Sequence, residues 1–244
     1  MAQTLSASAG STRPVASIHG STGSGAPGAS DAPMTTQQKR AALAQLAAQI
    51  AACTRCPLAK GRTRTVPGEG NPDAKIMFIG EAPGFHEDQQ GRPFVGAAGQ
   101  LLEELLASIG LRRQDVYIAN VIKCRPPNNR DPEPAEIAAC DPYLEQQIRI
   151  IRPRIIVTLG RFSMAKFFPG EKISRIHGQP RRRNGVIYFP MYHPAAALHQ
   201  SSLRRFLEED IRKLPALLAE TERQSPAPAA EPPKQETLVQ GRLF

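Results

Sequence analysis

Apolar residues recur along this chain on two alternating periods, and their alternation marks out a core. Thr35 to Ala52 carries Leu43, Leu46, Ala47 and Ile50 at helical spacing, which predicts a helix. Lys75 to Gly80 (KIMFIG) is a short continuous apolar run, the pattern of a strand buried on both faces. Helical spacing returns from Ala97 to Ile109 through Leu101, Leu102, Leu105 and Leu106. Val116 to Ile122 predicts a second strand. Glu133 to Ile151 predicts a helix, with Pro134 in the first turn, where a missing N–H costs nothing. Ile155 to Leu159 reads as a third strand, followed by a helix from about Arg161 to Phe168. Val186 to Pro190 reads as a fourth strand and Ser201 to Ala219 as the last helix. Such alternation predicts a parallel sheet with helices on both faces. Functional loops then belong at the carboxyl ends of the strands.

The flanks break the pattern. Residues 1–34 are mostly Ser, Gly, Ala, Thr and Pro. Such a segment cannot bury enough surface to offset its ordering entropy, so a disordered leader is expected. Met34 opens a stretch that reads like a second start. Beyond Glu220 the chain turns Pro- and Ala-rich from Ser225 to Pro233, which predicts a flexible tail. The expected division is a leader over 1–34, a catalytic domain with a cysteine site over 35–220, and a tail over 221–244. No internal repeat is evident.

Composition narrows the partners. The 244 residues suffice for one α/β domain plus tails. A net charge of +9 favours a polyanion such as nucleic acid. No apolar run of about 18 residues occurs, so no membrane span is expected. No signal peptide is visible, which predicts a cytoplasmic protein. A monomer is expected.

In a reducing compartment the four cysteines, Cys53, Cys56, Cys124 and Cys140, point to metal rather than disulfides. Cys53 and Cys56 form a C-x-x-C, whose turn directs both sulfurs inward. With no spare thiol, the set suggests one tetrahedral site holding either zinc or an iron–sulfur cluster. Lys123, Arg125 and Arg130 could offset thiolate charge or contact phosphate.

Two loops carry the remaining chemistry. After the first strand the chain reads Gly80-Glu81-Ala82-Pro83-Gly84-Phe85-His86-Glu87-Asp88 and continues to Gly91-Arg92-Pro93-Phe94-Val95-Gly96. The fourth strand runs into Met191-Tyr192-His193-Pro194. Asn120 sits near the carboxyl end of the second strand, either as a buried satisfied amide or as a ligand reader.

The motifs GEAPG, GRPFVGAAGQLL, YIANVIKCRPPNNR and YHPAAAL, in that order and interleaved with the four cysteines, resemble the family-4 uracil-DNA glycosylases. The resemblance covers roughly Ala51 to Ala219. It implies a three-layer α/β/α sandwich around a four-stranded parallel sheet, and a [4Fe–4S] cluster on Cys53, Cys56, Cys124 and Cys140. The implied reaction is base-excision repair: uracil-containing DNA, single- or double-stranded, has its uracil flipped out and released, leaving an abasic site. Phe94 would stack on the base, Asn120 would read its Watson–Crick edge, and backbone N–H groups of the turn from Gly80 to Ala82 would assist at O2. Glu87 would stand at the C5 side, excluding thymine. His193 would donate to O2 as the bond breaks. Related enzymes carry an Asp where this chain has Ala82, so Glu81 or Glu87 is left to position water. Leu198, with Ala197, is the candidate wedge into the vacated stack. Arg181, Arg182, Arg183, Arg204 and Arg205 are candidate phosphate contacts, although a solvated hairpin explains the triple arginine equally well.

Two alternatives stay open. A related group traps the sugar covalently through a histidine, which would be His177 here. A non-catalytic, zinc-stabilised DNA-binding module is the other. The terminal Gln240-Gly241-Arg242-Leu243-Phe244 resembles a sliding-clamp-binding peptide, with Gln240, Leu243 and Phe244 as anchors.

Overall fold

The computed structural model of the protein describes residues 33–224. The leader and the clamp-like peptide lie outside these residues, Pro33 and Met34 aside. Helix α1 spans Thr36–Ala51, and Thr35 caps it. The Thr35 hydroxyl accepts from the Gln38 amide, and the Gln38 side chain accepts from the Thr35 amide at 2.8 Å.

The sheet has six strands: β1 (Glu69–Gly70), β2 (Ile76–Gly80), β3 (Tyr117–Asn120), β4 (Ile155–Leu159), β5 (Arg181–Arg183) and β6 (Val186–Met191). Their order is β1-β3-β2-β4-β6-β5. The inner four run parallel, whereas β1 and β5 add antiparallel at the edges. The expectation of four strands is therefore corrected to six. β1 is two residues long and β5 is three exposed arginines, so neither carries an apolar run.

Successive residues of the inner strands supply opposite faces. Ile76 and Phe78 of β2 join one core with Ile118, Val157 and Phe189. Met77 and Ile79 join the other with Ala119 and Ile156. The first core is covered by α3 (Ala97–Ser108), α7 (Pro194–His199), α8 (Ser202–Ile211) and α9 (Leu214–Gln224). Against the second lie α1 and α4 (Pro134–Ile151), through Leu46, Ile50, Leu144 and Ile151. Three layers result. Short helices α2 (Phe85–Gln90), α5 (Arg161–Phe167) and α6 (Ile173–Ile176) complete the set among the described residues.

The single last helix expected from Ser201 to Ala219 is two, α8 and α9. The chain turns over residues 212–213 and restarts at Leu214, with Pro215 in the first turn of α9, where its missing N–H is tolerated. α9 then runs through residue 220 to Gln224.

Chain order places β3 on one side of β2 and β4 on the other. The crossover direction thus reverses around β2, the position where open α/β sheets bind ligands. Gly80 and Asn120 pair at the carboxyl ends of β2 and β3.

Candidate active site

A cavity of about 420 Å³ opens at those strand ends. Glu81, Ala82, Pro83 and Gly84 from the β2 loop line it with Glu87 and Phe94. Asn120, Arg130 and His193 close it. The structure therefore brings Glu81, Ala82, Glu87, Phe94, Asn120 and His193 around one space.

Gly80 lies behind them. A Cβ on Gly80 would collide with Asn120 Oδ1 and the Phe94 ring, so only a bare backbone lets the amide and the ring approach this closely. Asn120 is 2% exposed, and its Oδ1 has no hydrogen-bond partner among the described residues. A buried acceptor left unpaired costs about 1–3 kcal/mol, so this atom awaits a donor.

Phe94 adopts φ 53°, a left-handed conformation that a bulky residue pays to hold. Three contacts enforce it. Arg113 donates to the carbonyls of Pro93 and Phe94, the latter at 2.9 Å. Gly99 of α3 packs so tightly on the Phe94 backbone that no side chain fits there. Glu87 accepts from the amides of Val95 and Gly96, both at 2.9 Å, and from Gly84 at 3.1 Å. Both Glu87 oxygens are thus occupied in pinning the loop that carries Phe94.

His193 faces Phe94 with ring centroids 5.4 Å apart and planes inclined by 25°. Its Nδ1 accepts from the Ala195 amide at 3.1 Å, capping α7. Burial pushes its pKa down to about 4, against the opposing pull of the Glu87 carboxylate. The imidazole is therefore neutral at pH 7, with its proton on Nε2. Glu81 is shifted the other way, to about 7, by burial and then by the Asp131 carboxylate, with Arg161 opposing. Arg161 forms an ion pair with Asp131.

The loop after β3 walls the cavity through Pro126, Asn129 and Arg130. Arg130 is locked by Glu136, which is 1% exposed and takes its guanidinium at 2.7 and 2.9 Å. Nothing in the local pattern marked this loop as a cavity wall, because its arginines read as generic positive charge. A larger and more open groove lies along β1, lined by Arg40, Arg92 and Arg113 among others. Arg92 and Arg113 are both paired with Glu69 there, and the groove lies away from the strand ends.

Behind the site, the four cysteines line one small pocket with Arg55, Arg62, Lys123 and Tyr143. Three of them receive N–H groups: Cys124 from Arg62 at 3.3 Å, Cys140 from the Lys123 amide at 3.3 Å, and Cys53 from the Arg55 amide at 3.5 Å. Donors aimed at sulfur suit thiolate ligands. Burial pushes the Cys124 thiol up and the Cys140 thiol up to about 11, so binding a metal must displace their protons. Among the described residues no group of three or more His, Cys, Asp or Glu is gathered tightly enough to hold a metal ion.

The positive charge beside the cysteines comes from Arg55, Arg62 and Lys123, whose ammonium acts on Cys140, whereas Arg130 does not line that pocket. Lys123 is fully buried and also donates at 2.7 Å to both the Asn120 carbonyl and the Gln147 side chain. Burial depresses its pKa to about 8.

None of the other expected DNA contacts lines the cavity itself. Leu198 is 51% exposed on α7, next to the cavity-lining His199, whereas Ala197 is buried in the core. Arg181, Arg182 and Arg183 pair alongside Tyr188 to Val186, toward the amino end of β6 and away from His193. Arg182 is held by Glu220, and Arg204 by Glu104 and Glu208. Arg205 is 3.7 Å from Glu209. His177 does not line the cavity. Its Nδ1 lies 2.8 Å from the buried Asp210 carboxylate, and its ring packs on Tyr192 and Phe206.

A mainly parallel sheet covered on both faces, with a cavity at its switch point, defines a doubly wound α/β protein that binds its ligand at the strand ends. The family model of the uracil DNA glycosylase superfamily matches residues 67–214, and the chain belongs to that superfamily. It is 52% identical over 182 residues to the type-4 uracil-DNA glycosylase of Sulfurisphaera tokodaii, covering 70% of this chain and 83% of that protein. Against the type-4 enzyme of Archaeoglobus fulgidus it is 51% identical over 175 residues, covering 68% of this chain and 88% of that protein. Within the superfamily the chain stands with the type-4 enzymes. No helix among the described residues is long and apolar enough to cross a membrane.

Proposed function

We propose that this protein excises uracil from DNA by hydrolysing its N-glycosidic bond, leaving an abasic site. The observation that carries the reading is the orphaned Oδ1 of Asn120, buried beside the Phe94 ring. Uracil offers a donor at N3 and an acceptor at O4, so the Asn120 amide pairs with both. Cytosine presents the reverse pattern and leaves both groups unsatisfied, which is a strong basis for rejection. Flipping the base costs a few kcal/mol, least where it is unpaired. Stacking on Phe94 offsets part of that cost. Leu198 enters the gap left in the stack, and Glu87 stands at C5 and excludes the methyl group of thymine.

Cleavage moves the electron pair of the C1′–N1 bond onto uracil, where O2 carries much of the charge. The Nε2–H of His193 donates to that oxygen. A neutral donor suits this task because it strengthens as charge develops without trapping the ground state as an ion pair. Water then adds to C1′ of the sugar cation. Glu81, partly ionised near pH 7, positions that water and takes its proton. Glu87 is spent on three backbone amides, so Glu81 is assigned this role.

Cys53, Cys56, Cys124 and Cys140, which line one pocket, would hold a [4Fe–4S] cluster on drawing together around it, and it would supply a cross-link between the end of α1, the β3 loop and α4. His177 does not line the cavity, which favours turnover over a covalent trap. The substrate is DNA at the nucleoid, and the terminal peptide is a candidate tether to a sliding clamp. Chromatographic detection of free uracil from a uracil-containing oligonucleotide tests the activity. A stable protein–DNA adduct, or no uracil release, would oppose it.

A further inference from the structure

We infer that Phe85 and Arg125 form a second nucleobase site at the cavity rim, which stacks an unpaired base adjoining the extruded uracil in single-stranded DNA. The inference rests on the uracil-excision reading and names the form of substrate that the rim fits.

Phe85 is 51% exposed, and only Met34 and Leu198 join it as exposed large apolar residues among the described residues. Two of these three therefore lie beside one cavity. Phe85 follows the lining residue Gly84, and Leu198 precedes the lining residue His199. Apolar side chains left in water at a binding cleft mark contact surfaces.

Phe85 is also prepared for a flat ligand. Gly80 and Asn120 pair at the strand ends, and Phe85 and Arg125 each follow five residues later. The Arg125 guanidinium lies over the Phe85 ring at 5.1 Å from its centroid. Arg125 Nε donates to Asn129 Oδ1 at 2.7 Å, which fixes the guanidinium. His86 stands nearly perpendicular to the ring at 5.5 Å. With Arg125 over one face and His86 edge-on, the remaining ring surface stays open. An aromatic ring backed by a cation is the arrangement with which proteins bind single strands without reading sequence. A paired neighbour in duplex DNA keeps its own stack and gains nothing from such a platform.

The test uses single-stranded oligonucleotides carrying 2′-fluorinated deoxyuridine, whose glycosidic bond resists cleavage. In companion oligonucleotides the base on the 5′ or 3′ side of the uracil is replaced by an abasic spacer. Removing one of these bases should weaken binding by the wild-type protein roughly tenfold, the scale of one base–aromatic stack. Phe85→Ala should bind both oligonucleotides of that pair alike, and Phe85→Tyr should restore the difference. Comparing two ligands on the same variant cancels any change in its folded fraction. A spacer effect that persists in Phe85→Ala overturns the inference, as does its absence from the wild type on both sides. Uracil release from an unmodified oligonucleotide, measured alongside, reports separately on the proposed function.

Discussion

His193 Nδ1 accepts the amide proton of Ala195 across 3.1 Å, and that bond decides which ring nitrogen carries the proton. With Nδ1 committed as an acceptor and the pKa held near 4 by burial, Nε2–H is the one donor the ring offers. Nitrogen-15 shifts of His193 should show the neutral Nε2–H form from pH 8 down to about 4. The unfolded chain takes up its proton first, near pH 6.5, so His193 makes folding less favourable as pH falls from 6.5 toward 4. His193→Ala should slow single-turnover uracil release by roughly a hundredfold to a thousandfold.

Glu81 sets the opposite pH dependence. Its folded pKa of about 7 lies above the ordinary 4.5, so the folded state favours its protonated form. Its contribution to stability is fully present below pH 4.5 and is lost as pH rises through 7. Water activation needs the anion, so single-turnover rates should climb with pH and level off above about 7. Glu81→Gln should be slower and should lack that limb. A limb unchanged in Glu81→Gln would move the role elsewhere.

Gly80 tests how closely the amide and the ring must approach. Gly80→Ala drives a methyl group into Asn120 Oδ1 and the Phe94 ring. Overpacking of this kind costs about 1–3 kcal/mol of stability, measurable by denaturant unfolding. Because both displaced groups line the cavity, uracil release should fall further than the stability loss explains.

The cysteines make a prediction that does not depend on activity. Protein purified without oxygen should be brown and carry about four irons per chain, the composition of the proposed cluster. Cys124→Ser should lose colour and iron together and melt at lower temperature. A colourless protein with stoichiometric zinc would reverse the metal assignment.

Sequence period made the inner sheet legible, because β2, β3, β4 and β6 are each apolar on both faces. The edge strands were hidden, since Glu69–Gly70 and Arg181–Arg183 have no apolar signal and pair only because a neighbour offers a free edge. The cavity residues were legible through their motifs, but the reasons for their positions were not. Arg113 holding the Phe94 backbone spans 19 residues of sequence, and Gln147 anchoring Lys123 spans 24. Glu87 looked like a catalytic carboxylate, and only the folded loop shows three amides converging on it. Long-range polar contacts leave no periodic trace.

The most direct test of the central claim is base release from matched single-stranded oligonucleotides containing uracil, cytosine or thymine, by wild type and by Asn120→Ala. Wild type should release uracil in preference to cytosine by about 10⁴-fold or more, and Asn120→Ala should lose most of its uracil activity while remaining folded. Uracil release undiminished in Asn120→Ala, or cytosine released by wild type at a comparable rate, would contradict it.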